Sequence, residues 1–199
     1  MRWKILLLIL VVVAGASRAA EKTFVFGKHG LKHNVITVES QTDLESMVTT
    51  TSVISGQMLW DPDAKTGNAK LSVPVTSLST GIKQRDEHLQ SKAWLDAETN
   101  PDIVFETTSV KAKSATEYEV QGSFTIKGVK KPISTVATLR YIPYTEAFEK
   151  LHMPKGNLVK IMASFDLKLS DFDVKSPAIP ATVSDTLHIK LNLTGVNEL

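Results

Sequence analysis

An antiparallel, mainly β barrel of about eight strands with one or two short helices is the fold class this chain predicts. Three observations carry it. Apolar and polar residues alternate over several long runs, turn residues punctuate those runs, and neither a strand–helix–strand rhythm nor an internal repeat occurs.

The alternation is clearest toward the C-terminus. In TLHIKLNLT, Leu187, Ile189, Leu191 and Leu193 alternate with His188, Lys190 and Asn192. In VKIMASFDLKLSDF, Ile161, Ala163, Phe165, Leu167 and Leu169 share one face, opposite Lys160, Ser164, Asp166 and Lys168. YEVQGSFTIK sets Val120, Gly122, Phe124 and Ile126 against Glu119, Gln121, Ser123 and Thr125. One apolar and one polar face per strand is the habit of antiparallel sheets with a core on one side and water on the other. Further strands are expected at 52–60, 68–77, 102–112 and 130–142, with a first strand within 22–40. The stretch 41–50 is ambiguous. Asp61-Pro62-Asp63, Lys65-Thr66-Gly67-Asn68, Lys127-Gly128 and Pro154-Lys155-Gly156 supply the turns.

Residues 82–95 break the pattern. Ile82, Leu89 and the pair Ala93/Trp94 recur at helical spacing, Thr80 or Gly81 can start the turn, and the helix must end before Pro101. Such a helix between two strands is expected across an end or side of the barrel. A second short helical piece is expected around 144–152.

The chain has 199 residues, 42% hydrophobic and 22% charged, which suits one globular domain at 20–199. Residues 1–19 read as a signal peptide: Arg2 and Lys4, then the apolar run ILLLILVVVAGA, then Ser17 and Ala19 before a cleavage point at Ala20. The apolar run is short of the roughly 20 residues that span a bilayer. Loss of Arg2, Lys4 and Arg18 with the leader leaves 20 basic against 21 acidic residues, so a basic surface for nucleic acid has no support. Export to the periplasm or beyond is the expected destination. The absence of cysteine excludes disulfides, thiol catalysis and cysteine metal sites.

TGIKQRDEHLQSKAWLDAETNPDIVF is the most charged run of the middle of the chain. His88 beside Glu87 or Asp86 has the residue types for acid–base catalysis. No nucleophile context or second metal-spaced histidine accompanies it, and a salt-bridged surface helix explains the same residues. On that reading Asp86 faces the helix N-terminus, where the dipole favours a carboxylate, and Arg85 pairs with Asp86 or Asp96. His29 and His33 have metal-ligand spacing, but Gly27 and Gly30 argue against a helix there, and a loop is the simpler reading. His152 and His188 read as surface residues. No metal, cofactor or catalytic residue is expected. Whether the apolar faces fill a core or line a hollow is left open by periodicity, since a barrel of this size can do either.

VPVTSLSTG, RDEHLQSKAWLD, NPDIVFETTSV and YEVQGSFTIKGVKKPI, in that order and spacing, resemble the YceI family, most specifically over 71–133. The chain departs from the family at its start, where FGKHGLKHNVITVES stands in place of a His-Ser pair leading into a strand. The resemblance implies a lipocalin-like barrel binding a polyisoprenoid or similar amphiphile in an apolar interior, without catalytic residues. It also implies that Arg85, Asp86, His88 and Leu89 are a structural signature pinning the helix to the barrel. The expected apolar lining is Leu71, Val73, Phe105, Phe124, Leu139, Phe165 and Leu167. A homodimer and transient membrane contact are compatible with this picture. The alternatives are a filled barrel acting as an interaction module in envelope stress, and an enzyme using His88 with Glu87 or Asp86.

Overall fold

The computed structural model describes residues 21–27 and 33–198, so the leader expected at 1–19 and His29 lie outside the described residues. Ten strands form one sheet: β1 (Lys22–Phe26), β2 (Val35–Gln41), β3 (Ser46–Thr51), β4 (Ser55–Asp61), β5 (Thr66–Pro74), β6 (Asp102–Ala112), β7 (Glu117–Ile126), β8 (Val129–Ile142), β9 (Gly156–Lys168) and β10 (Thr186–Glu198). Among the described residues, two helices, α1 (Lys83–Gln90) and α2 (Ala147–Lys150), interrupt them.

All pairings are antiparallel, and the order β1-β4-β5-β6-β7-β8-β9-β10 closes on itself through Val25↔Val196. β2 also lies on β10, further along it, from His188↔Glu39 to Asn192↔Val35, and β3 pairs with β2. β1 and β2 are therefore two pieces of one stave, and β3 and β4 two pieces of the next. The result is a closed antiparallel barrel of eight staves. The strand expected within 22–40 is thus two strands, and the ambiguous 41–50 holds the end of β2, a turn and the start of β3.

A local cause of the first break is visible. Gly27 follows β1 at φ 78, and a Cβ there would stand 1.9 Å from the Ile54 carbonyl oxygen. Only glycine lets the two staves approach so closely in that backbone state. The β7–β8 turn is the expected Lys127-Gly128, with both residues at positive φ (50 and 77), as a two-residue hairpin of the primed type requires.

The barrel has two ends. The β4–β5 and β6–β7 turns, with α2, lie at the upper one. At the lower end sit α1, the segment after it, and the 3₁₀ turns Val75–Ser77 and Leu169–Phe172. Two apolar clusters follow this division: Phe24, Met58, Trp60, Tyr118, Leu139 and Leu193 above, and Leu78, Leu95, Leu167, Leu169 and Phe172 below. Burying each large side chain contributes about 1.5–3 kcal/mol.

Helix α1 is shorter than the expected 82–95. Ser91 ends it, its backbone N–H and hydroxyl both donating to the His88 carbonyl at 3.0 and 2.7 Å. The chain then folds back, with Leu95 N–H donating to Leu89 O at 3.1 Å. That reversal carries Trp94 and Leu95 toward the barrel, which a continuing helix could not do.

Candidate ligand-binding site

Inward residues of the strands do not fill the barrel. Two chambers remain, with cavity volumes of about 100 Å³ in the upper half and about 150 Å³ in the lower. Phe124, Phe165 and Leu191 line both chambers and form their common boundary. The ring centroids of Phe105 and Phe124 are 5.0 Å apart, and those of Phe124 and Phe165 are 5.6 Å apart, so aromatic faces run through the middle of the lumen.

The polarity of the lining limits its chemistry. Among the described residues, no acidic or basic side chain lines either chamber; the polar contributions are Asn68, Thr107 and Thr135 above and Ser40 and Thr49 below. Burial raises the pKa of Tyr118, which also lines the upper chamber and meets Trp60 edge-on at 5.1 Å. An apolar chain can be sheltered here.

All seven residues expected to line the interior stand on it. Leu71, Phe105 and Leu139 border the upper chamber, Val73 and Leu167 the lower, and Phe124 and Phe165 both. Sequence reasoning did not place Met58, Trp60 and Tyr118 on the upper wall, or Ile36, Val38 and Trp94 on the lower. Leu191 and Leu193 were legible as the apolar face of β10, and that alternation was the signal that could have placed them on the wall.

The charged run lies at the lower end and outside the lumen. Asp86 accepts hydrogen bonds from Thr80 N–H and Thr80 Oγ1, both at 2.7 Å, and from Ser79 Oγ at 2.9 Å. The donation from Thr80 N–H, followed by that from its hydroxyl, holds the carboxyl below its ordinary range. These bonds turn Asp86 back toward the start of α1 and tie its first turn to the Ser79–Thr80 segment before it. Arg85 corrects an expectation: its partner is Glu45 in the β2–β3 turn, neither Asp86 nor Asp96. The β2–β3 turn folds up against α1, which brings a carboxylate from 40 residues away to the guanidinium. Glu87 pairs with Lys83 at 3.7 Å, and His88 is exposed, without an ion-pair or hydrogen-bond partner for its ring among the described residues. Leu89 is the member of the signature that reaches the lower chamber.

A second histidine has partners. On the outer face, His188 Nε2 lies 2.9 Å from Ser164 Oγ and His188 Nδ1 lies 2.7 Å from Asp166 Oδ1. The order Ser–His–Asp matches a hydrolase triad. Yet the His188 and Asp166 side chains are 43% and 65% exposed, and none of the three residues lines a described cavity. A flat wet surface cannot hold a substrate or preorganise donors for an oxyanion. The trio reads as a solvated polar network. Among the described residues, no three His, Asp or Glu side chains gather as a metal site, and no helix is long and apolar enough to cross a membrane.

A hollow antiparallel barrel of eight staves, apolar within and charged without, is the architecture of a lipocalin-like binding protein. Residues 21–195 match the YceI-like domain, and the chain belongs to that family. It is 32% identical to a UPF0312 protein of Pseudomonas putida strain F1 over 145 residues, which covers 72% of this chain and 70% of that protein. Three solved structures share its fold. BcnA of Burkholderia cenocepacia superposes with a TM-score of 0.68 at 22% identity, covering 81% of this chain and 95% of that one. The YceI protein of Campylobacter jejuni gives 0.65 at 19% identity, over 76% and 85% of the two chains. A polyisoprenoid-binding domain from Saccharophagus degradans, implicated in plant cell wall breakdown, gives 0.65 at 13% identity, over 89% and 99%.

Proposed function

We propose that the protein binds a polyisoprenoid or similar long amphiphilic lipid in the two chambers, and carries or stores it outside the cytoplasm after removal of residues 1–19. The observation that supports this most is the pair of chambers itself, whose walls offer hydrocarbon and almost nothing else. Burying one methylene contributes about 0.8 kcal/mol, so ten buried carbons supply about 8 kcal/mol before ordering costs. A chain of that length needs no charged anchor in the lumen. The polyisoprenoid-binding domain among the structural neighbours agrees with the same reading.

The filled-barrel alternative loses support from the chambers, and the enzymatic alternative from the isolation of His88. Organic extraction of protein purified from its native envelope, followed by mass spectrometry, tests the proposal. A co-purifying prenyl lipid is expected. A clean extract, together with no saturable uptake of a fluorescent farnesyl probe, would sink it. N-terminal sequencing of the exported protein is expected to begin at Ala20, and an intact Met1 would refute the processing.

A further inference from the structure

We infer that the barrel loads through its side wall, by a seam between β5 and β6 that opens into the upper chamber. This deepens the lipid-binding reading and rests on it.

The ladder joining these strands runs from Pro74↔Asp102 to Lys70↔Glu106 and stops there. Yet β5 begins at Thr66 and β6 continues to Ala112. Residues 66–69 remain paired to β4, and β6 remains paired to β7 as far as Ala112. Each strand is therefore anchored on its far side and parted from the other. β6 also shifts register between Thr107 and Ser109, at the level where the two separate. Such a bulge bends a strand and increases its twist, which turns β6 away from its neighbour. The parted edges present backbone N–H and C=O groups that must be met by water or by a polar ligand.

The seam connects inside with outside. Asn68, Ala69 and Thr107 line both the upper chamber and a groove on the outer surface. The groove continues over Thr108, Ser123 and Lys130. Lys130 and Lys70 donate to Glu106 at 2.7 and 2.9 Å along it, and the Ser123 hydroxyl, in a residue only 8% exposed, has no partner. The polarity sequence is that of an amphiphile lying through the wall: a polar head among these groups, an apolar chain in the chamber behind.

Other routes are obstructed. Buried Phe24, Trp60 and Tyr118 pack across the upper end, and Leu78, Leu95 and Phe172 across the lower. A second interruption lies between β8 and β9, whose ladder covers Ala137–Ile142 of β8 and leaves its first half unpaired on that side. Side chains span that one: Thr135 Oγ1 donates to Ser164 O at 3.4 Å, and Lys127 Nζ donates to Asp173 O at 3.3 Å.

The sequence has no cysteine, so introduced thiols report alone. Asn68→Cys with Thr108→Cys places two exposed thiols on opposite lips of the seam, to be joined by a short bis-maleimide. Lys111→Cys with Glu119→Cys, a facing pair in the intact β6–β7 ladder, is the control. Delipidated protein is mixed with a fluorescent farnesyl probe, and uptake is followed by stopped flow. Joining the lips is expected to slow uptake about tenfold or more, because entry must then await local unfolding elsewhere. The control cross-link is expected to leave the rate unchanged. Equal rates before and after joining the seam overturn the port while leaving lipid binding standing. No uptake by the unaltered protein overturns lipid binding, and the port with it.

Discussion

The lumen and helix α1 carry opposite chemistries. Among the described residues, no acidic or basic side chain lines either chamber, whereas α1 places Lys83, Arg85, Asp86, Glu87 and His88 within eight residues and buries none of its side chains fully. The lumen has space and little polarity; the helix has polarity and no enclosed space. Reactive residue types on a wet helix hold the chain in place, while inert ones around an enclosed void create a binding site. Leu89 is where the two regions meet, since it stands on α1 and borders the lower chamber.

Substitutions should separate the regions by which measurement they move. The largest effect is expected for Leu191→Trp at the boundary of the chambers. It should weaken farnesyl-probe binding about a hundredfold, because filling the boundary displaces several methylenes worth about 0.8 kcal/mol each. Overpacking should cost only about 1–3 kcal/mol of stability. A titration showing unchanged affinity would remove the lumen from the function.

Asp86→Ala should act on stability alone. Loss of its hydrogen bonds is expected to cost about 1–3 kcal/mol in urea denaturation, with probe affinity preserved in the folded protein. Its folded pKa is depressed below the ordinary 3.8, so its stabilisation is present above that value and is lost as pH falls through the folded pKa. The alanine variant should therefore lose part of the acid limb below pH 3.8. Glu106, drawn from 4.5 to about 2 by Lys130 and then Lys70, contributes in the same direction below pH 4.5. The Glu106 side chain is 34% exposed and borders an open groove, so added salt should weaken its share. An acid limb identical in wild type and Asp86→Ala would show that the Asp86 hydrogen bonds contribute nothing to stability.

Arg85→Ala comes next. Its side chain is 37% exposed and that of Glu45 32%, so the pair stands near the surface and should contribute about 1 kcal/mol. A double-mutant cycle with Glu45→Ala measures it. Coupling near zero would leave α1 docked by Leu89 and its neighbours alone. His88→Ala should be the smallest change, within about 0.5 kcal/mol in stability and without effect on probe binding. Loss of binding or of a catalysed reaction in that variant, with its melt unaltered, would restore an active role to the helix.

Particular residues show how far sequence reading reaches. Leu71, Val73, Phe105, Phe124, Leu139, Phe165 and Leu167 were identifiable as wall residues because an antiparallel strand turns alternate side chains to one face. Trp60 and Met58 border the upper chamber from β4, a strand whose existence was legible, but no regular alternation marked its inward positions. Ile36 and Val38 were hidden because one expected strand is two. Asp86 was placed correctly because its partners, Ser79 and Thr80, are within seven residues. The Arg85 partner was missed because a local pattern holds no information about a turn 40 residues away.

By itself the sequence determined most of the strands, the inward faces of the alternating ones, the position of the crossing helix and the family. These depend on short-range stereochemistry, on the two-residue period of a pleated strand and on a spaced set of motifs. Tertiary structure alone decided that the interior is hollow, that two staves are broken, that Glu45 meets Arg85, and that β5 and β6 part above Lys70↔Glu106. Each of these depends on register and closure around the whole ring. Alternation specifies which side chains point inward, but the radius at which the staves close determines whether those side chains touch.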